Sequence, residues 1–210
     1  MDVIAFMDRT WREARGIGGH LIDLARIARH RFRNPHSYTK YLLIRAIQRR
    51  TGAETFVEAG SYRGVTADRC ARDFRAVYTI EIDETLACAA RRHLAGRRNC
   101  TVIHGDAVAV LPSLLARRDV DRVVLSLDAH FSGGDTAAGA VPEPALLEIA
   151  SASQFKAKIC GIVIDDFRSF GTEPGFPRKW EVLRAVEERF GSGEFILSVH
   201  LDQVILERMP

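Results

Sequence analysis

Five short apolar runs recur along the chain from residue 54 onward, and helical stretches separate them. They are Phe56-Val57, Val77–Ile82, Cys100–His104, Val123–Leu127 and Ile159–Ile164. Runs this short, rich in β-branched residues and without polar alternation, suit strands buried on both faces. Strands about 54–59, 76–82, 100–104, 123–128 and 159–165 are expected, with helices at about 63–73, 84–95, 106–116 (Pro112 inside) and 178–190. Repeated strand–helix units imply a parallel, doubly wound α/β sheet with right-handed crossovers. The rhythm breaks at the end. Segments 194–199 and 203–208 are separated by too few residues for a helix, so they must form an antiparallel hairpin.

Residues 1–52 read as a helical extension and 53–210 as the α/β domain. Gly16, Gly18 and Gly19 are expected to break the first helical segment, and Leu21, Leu24, Ile27 and Ala28 to form an amphipathic stripe. A second helix is expected over 37–50, with Tyr41, Leu42, Ile44 and Ile47 on it and Thr51-Gly52 at its end. These helices suit a cleft cap, a sheet cover or a homo-oligomer contact. His36, Tyr38 and Lys40 are within sequence reach of a substrate, but nothing forces that role.

No apolar run approaches the roughly 20 residues that span a bilayer, and the first 15 residues lack the apolar core of a signal peptide. Cys70, Cys88, Cys100 and Cys160 have no disulfide or metal spacing. The expectation is a cytoplasmic protein with reduced thiols and no membrane partner. A net charge of +3 and arginine pairs such as Arg91-Arg92 fit solvated helix ends better than a nucleic-acid face, which would want interleaved aromatics.

In a parallel sheet, ligands sit beyond the C-terminal ends of the strands. The acids of this chain gather at those ends: Glu58, Glu81, Asp106, Asp128, Asp165 and Asp166. The stretch Thr55–Thr66 reads as strand, glycine turn and helix start. Glu81 follows at about the 20-residue distance at which an acid grips a ribose. A dinucleotide fingerprint wants a first glycine where Glu58 stands. The pattern present is Glu58-x-Gly60-x-x-x-Gly64, which resembles motif I of the class I S-adenosylmethionine (SAM)-dependent methyltransferases. The Rossmann-like order of five parallel units and a terminal hairpin resembles that family too.

The resemblance implies that Glu58, Gly60, Ser61 and Gly64 frame the methionine end of SAM and that Glu81 accepts from the ribose. It further implies that Ile82 packs on the adenine and that Asp106 and Ala107 read its edge. Asp106 also suits a helix N-cap. Asp128 belongs both to the cofactor edge and to the acceptor side. Metal-dependent small-molecule O-methyltransferases of the catechol and macrocin types carry an Asp after strand four and an acidic pair after strand five. By that likeness Asp128, Asp165 and Asp166 are candidate ligands for Mg²⁺. The match is partial: Asp-Ala-His and Asp-Asp stand where the catechol type has Asp-x-Asp and Asp-Asn. The alternative pairs Asp165 or Asp166 with Arg168 or Arg178.

Asp128 and His130 are the candidate catalytic residues, since imidazole titrates near neutral pH. The element Asp128-Ala129-His130-Phe131-Ser132-Gly133-Gly134 resembles one found in uncharacterised bacterial methyltransferases. Residues 132–141 and 169–177 are expected to be loops beside the cleft, with Phe170 and Phe176 as walls of an acceptor pocket. The implied function is SAM-dependent O-methylation of a small-molecule hydroxyl, assisted by Mg²⁺ or His130. The rivals are a SAM-binding domain without turnover and a nicotinamide-dependent oxidoreductase, which the missing Gly-x-Gly disfavours.

Overall fold

The computed structural model describes residues 3–29, 31, 34–128, 143–191 and 193–209. Two helices lead, α1 (Val3–Ala28) and α2 (Ser37–Thr51). Strands and helices then alternate: β1 (Thr55–Ala59), α3 (Val65–Cys70), β2 (Ala76–Glu81), α4 (Glu84–Leu94), β3 (Cys100–His104), α5 (Ala107–Ala116) and β4 (Val123–Leu127). After them come α6 (Ala145–Ser153), β5 (Ile159–Ile164), α7 (Lys179–Phe190), β6 (Phe195–His200) and β7 (Gln203–Arg208). The sheet order is β3-β2-β1-β4-β5-β7-β6. β1 to β5 pair in parallel, whereas β7 runs antiparallel to both β5 and β6. The expected doubly wound sheet with a terminal hairpin is therefore observed. Strand order reverses between β1 and β4, the point at which such sheets open a crevice.

Successive strand residues face opposite sides. Phe56, Val77, Val124, Val163 and Ile205 pack under α2 and α3. Val57, Tyr78, Leu125, Ile162 and Leu206 face α5, α6 and α7. On α2, Tyr41, Ile44 and Ile47 are at most 4% exposed and belong to the first of these cores. α2 thus covers one sheet face. At Gly161 of β5 an added Cβ would lie 2.7 Å from Ile47 Cγ2, so the missing side chain lets α2 approach the sheet.

The glycines do not break α1, which is continuous from Val3 to Ala28. A Cβ at Gly19 would lie 2.8 Å from the His36 ring, and one at Gly16 would meet the Arg69 guanidinium. These glycines give α1 a smooth face for close packing on the start of α2 and on α3. That contact offsets their cost of roughly 1 kcal/mol each in a helix interior. Asp23, fully buried on α1, accepts from the His36 N–H at 2.7 Å, from His36 Nδ1 at 2.6 Å and from the Thr39 hydroxyl at 2.6 Å. The opposite side of α1 leaves Leu21 and Leu24 exposed.

Phe170 is a core residue and not a pocket wall. It is 1% exposed and stacks edge-on with Phe176 at 5.6 Å between ring centroids. The 169–177 loop turns its aromatics inward, onto the core shared by β5, β7 and α7.

Candidate functional site

Among the described residues, the loops after β1 and β2 flank the point where the strand order reverses, and β4 ends beside them at Asp128. The β1 loop begins with Gly60 and Ser61, whose N–H groups both donate to the Ile80 carbonyl at 3.0 Å. Gly60 (φ 92°) and Gly64 (φ 73°) take left-handed angles. A Cβ at Gly64 would also lie 3.2 Å from Leu94, so this turn both needs the rare angle and has no room for a side chain. The turn leads into α3 with Gly64 as its N-cap.

Glu81 ends β2 and lies 6% exposed at the rim. Its Oε2 accepts from the Tyr62 N–H at 2.7 Å and its Oε1 from the Asp83 N–H at 3.0 Å. Each carboxylate oxygen keeps a lone pair for a hydroxyl partner, and the two N–H groups fix its direction. Ile82 follows in the same loop, its carbonyl bonded to His104 Nε2 at 3.1 Å. Across from it, Gly105 donates its N–H to the Glu81 carbonyl at 2.9 Å. Asp106 caps α5, accepting from the Val108 N–H at 2.9 Å, and Ala107 starts that helix. The N-cap role weighed for Asp106 is the one its side chain performs.

Glu58 is buried on the α2 side of the sheet. It accepts from the Thr79 hydroxyl at 2.6 Å, and Thr79 is itself 2.5 Å from Ser61 Oγ. Burial pushes the Glu58 carboxyl up to about 7 and the nearby Glu81 adds to that, while hydrogen bonds from Thr79 and Thr66 and the charge of Lys40 oppose it. A carboxyl held near neutrality beneath the β1 turn is suited to a cation brought in by a ligand.

The β4 and β5 ends carry the second constellation. The Asp128 N–H donates to the Ala59 carbonyl at 3.0 Å and the Asp165 N–H to the Leu127 carbonyl at 3.1 Å, so both residues continue the ladder. By strand alternation Glu58, Asp128 and Asp165 fall on the α2 face. There they meet Lys40 of α2. Its Nζ bonds Asp165 and stands 3.9 Å from Asp128 Oδ2. Lys40 lies four and seven residues before Ile44 and Ile47, in line with the buried stripe, and this register is the sequence signal that singles it out.

Asp166 turns elsewhere. It takes a left-handed angle (φ 51°), and its Oδ1 accepts from Arg168 Nη1 at 2.7 Å. The Arg168 pairing weighed for the acidic pair is therefore observed at Asp166. The same guanidinium bonds Asp202 in the turn of the β6–β7 hairpin. The expected metal set does not assemble. Lys40 is shared between Asp165 and Asp128, and Arg168 between Asp166 and Asp202. Among the described residues no group of three or more His, Cys, Asp or Glu side chains could hold a metal ion. The described donors therefore form no set that fits Mg²⁺. His130 and the rest of the Ala129–Val141 stretch lie outside the described residues.

The arginines include a convergence that sequence reading missed. Arg9, Arg12 and Arg15 of α1 join Arg63 and Arg92 around a cavity of about 1020 Å³ that reaches Asp83. No helix among the described residues is long and apolar enough to cross a membrane.

No protein-family model matches the chain, and no curated protein matches it. Solved structures do. The O-methyltransferase from Bacillus cereus in complex with S-adenosylhomocysteine (SAH) superposes with a TM-score of 0.58 at 16% identity, over 82% of this chain and 81% of that one. A proposed O-methyltransferase from Klebsiella pneumoniae gives 0.57 at 17% identity, over 81% and 80%. A proposed caffeoyl-CoA O-methyltransferase from Staphylococcus aureus gives 0.56 at 15% identity, over 99% and 100%. Identities this low carry the architecture alone, and that architecture is the Rossmann-like fold of the class I methyltransferases.

Proposed function

We propose that the chain is a SAM-dependent methyltransferase that alkylates the oxygen of a small-molecule hydroxyl. The observation that carries this reading is Glu81, held at the rim of the switch-point crevice by the Tyr62 and Asp83 N–H groups opposite the Gly60–Gly64 turn. This donor set fits an adenosyl ligand. Glu81 would accept from the ribose hydroxyls, Ile82 would lie on the base, and the Gly105–Ala107 turn would approach its edge. Glu58, Gly60, Ser61 and Gly64 would surround the amino-acid end, where the half-ionised Glu58 answers a positive charge.

SAM supplies an electrophilic methyl group on a sulfonium. The chain's own residues orient the acceptor and take its proton. Asp128, with 35% of its side chain exposed, is open enough to receive that proton and pass it to water, whereas Asp165 is 3% exposed and structural. The solved neighbours named O-methyltransferases, one of them with SAH, support the reaction class.

Calorimetry with SAH, SAM and NADH tests the reading. SAH and SAM are expected to bind with micromolar affinity and NADH not at all. Binding of NADH in place of SAH would overturn it. A mass gain of one methyl group on a hydroxyl-bearing metabolite from a cell extract, dependent on SAM, separates turnover from mere binding.

A further inference from the structure

The ammonium of Lys40 occupies the place between Asp128 and Asp165 where an ion would have to sit to be held by both strand ends. We propose that Lys40 is the resident cation of the acceptor site, binding the acceptor oxygen and supplying the positive charge for which metal-dependent enzymes of this fold use a divalent ion. The proposal rests on the methyl-transfer reading above.

Three observations support it. Lys40 is anchored, not trailing: its helix is pinned to the sheet by Ile44 and Ile47, and its side chain is 19% exposed. It is charged: burial alone would lower its pKa, but Asp128, Asp165 and Asp166 together outweigh burial and raise it. It also reaches both carboxylates unequally. Contact with Asp165 fixes the ammonium, while the 3.9 Å gap to Asp128 is too long for a direct hydrogen bond. A hydroxyl bound beside the two groups would accept from Lys40 and donate to Asp128.

In the transfer itself the hydroxyl oxygen would form the bond to the methyl carbon as the carbon–sulfur bond breaks. The electron pair stays on sulfur, which leaves as the neutral thioether of SAH. The hydroxyl proton goes to Asp128 and then to water, and Lys40 keeps its own protons throughout. The ammonium stabilises oxygen as it loses its proton, which is electrostatic help from a fixed charge.

The test compares the wild-type protein with Lys40→Met and Lys40→Arg, using MgCl2 as the probe in thermal melts and calorimetry. Wild type and Lys40→Arg are expected to show no Mg²⁺ binding. Lys40→Met leaves two carboxylates uncompensated; it is expected to melt lower and to regain roughly 3 °C when Mg²⁺ is added. Mg²⁺ binding by the wild type at micromolar to low millimolar concentration would overturn the proposal. So would a Lys40→Met protein that melts like wild type and ignores Mg²⁺. Should Lys40→Met not fold, the wild-type and Lys40→Arg titrations decide alone. SAH calorimetry on the wild type separates the two levels: absent SAH binding sinks the methyltransferase reading, whereas intact SAH binding with Mg²⁺ binding sinks only the role of Lys40.

Discussion

The N–H of Tyr62 donates to Oε2 of Glu81 at 2.7 Å, tying the turn after the first strand to the tip of the second. Tyr62 holds a left-handed angle (φ 48°), which aims its N–H across the crevice. Glu81 is thus a buried acceptor oriented before any ligand arrives. Hydrogen bonds to a charged group contribute about 1.5–3 kcal/mol each. Loss of one such bond in Glu81→Ala is therefore expected to weaken SAH binding by about 10- to 150-fold in calorimetry. Glu81→Gln, which keeps an acceptor oxygen but loses the charge, should fall between. An Ala variant that binds SAH like wild type would remove Glu81 from the cofactor site.

Glu58 predicts a pH dependence. Its carboxyl is raised from 4.5 to about 7 in the folded protein. A raised acid contributes stability that is present below the unfolded value of about 4.5 and is lost as pH climbs through 7. Glu58→Gln is isosteric and never ionises. It should melt like wild type near pH 5 and above wild type near pH 8, by up to about 3 kcal/mol. SAM affinity should move the other way. If its cationic end needs Glu58 ionised, binding weakens about tenfold per pH unit below 7 in the wild type and is flat with pH in Glu58→Gln. Parallel calorimetric pH series on the two proteins check both signs.

Asp23 governs how α1 is attached. Burial alone would raise its pKa, but the Thr39 hydroxyl, the His36 N–H and ring, and the His36 charge lower it overall. A depressed carboxyl contributes stability that is present above its unfolded value of about 3.8 and lost as pH falls below it. Asp23→Ala orphans the Thr39 and His36 donors, at about 1–3 kcal/mol for each buried group. The expected result is faster tryptic cleavage at Arg26 and Arg29, with the α/β sheet still folded by far-ultraviolet circular dichroism. Unchanged cleavage would show that the glycine face of α1 suffices without this anchor.

What the sequence reveals and what it hides have physical reasons. Strands β1, β2, β4 and β5 were readable because burial on both faces demands unbroken apolar runs. The places of Glu58, Glu81 and Asp106 at strand tips were readable because a strand that turns into a helix marks its end with a glycine nearby. The continuity of α1 was hidden because glycine's helix cost is a local property, while the His36 ring packed on Gly19 belongs to a residue 17 positions further on. The partners of the acceptor-side acids were hidden for a similar reason. Three aspartates at two strand tips look like an unfilled cation site until the partner face is known. Their cations come from Lys40, far upstream, and from Arg168, which was weighed as a partner. Helix α6 also escaped, its Glu148 and Ser151 interrupting a short apolar stretch.

Arg168 gives the last prediction, because it locks the β5 loop to the hairpin. Its guanidinium bonds Asp166 and Asp202, and its own N–H donates to Asp202 Oδ1 at 2.6 Å. Burial pushes the Asp202 carboxyl up in spite of the hydrogen bonds from Arg168. Burial thus opposes what Arg168 returns, and the pair serves to lock the loop to the hairpin. Arg168→Met strands a carboxylate whose side chain is 6% exposed, so it should destabilise by about 2–4 kcal/mol. Adding Asp202→Asn to it should restore most of that loss, because the uncompensated charge is gone. A denaturant-melt double-mutant cycle reads the coupling directly. Strict additivity of the two substitutions would show that Arg168 and Asp202 are neighbours without being partners.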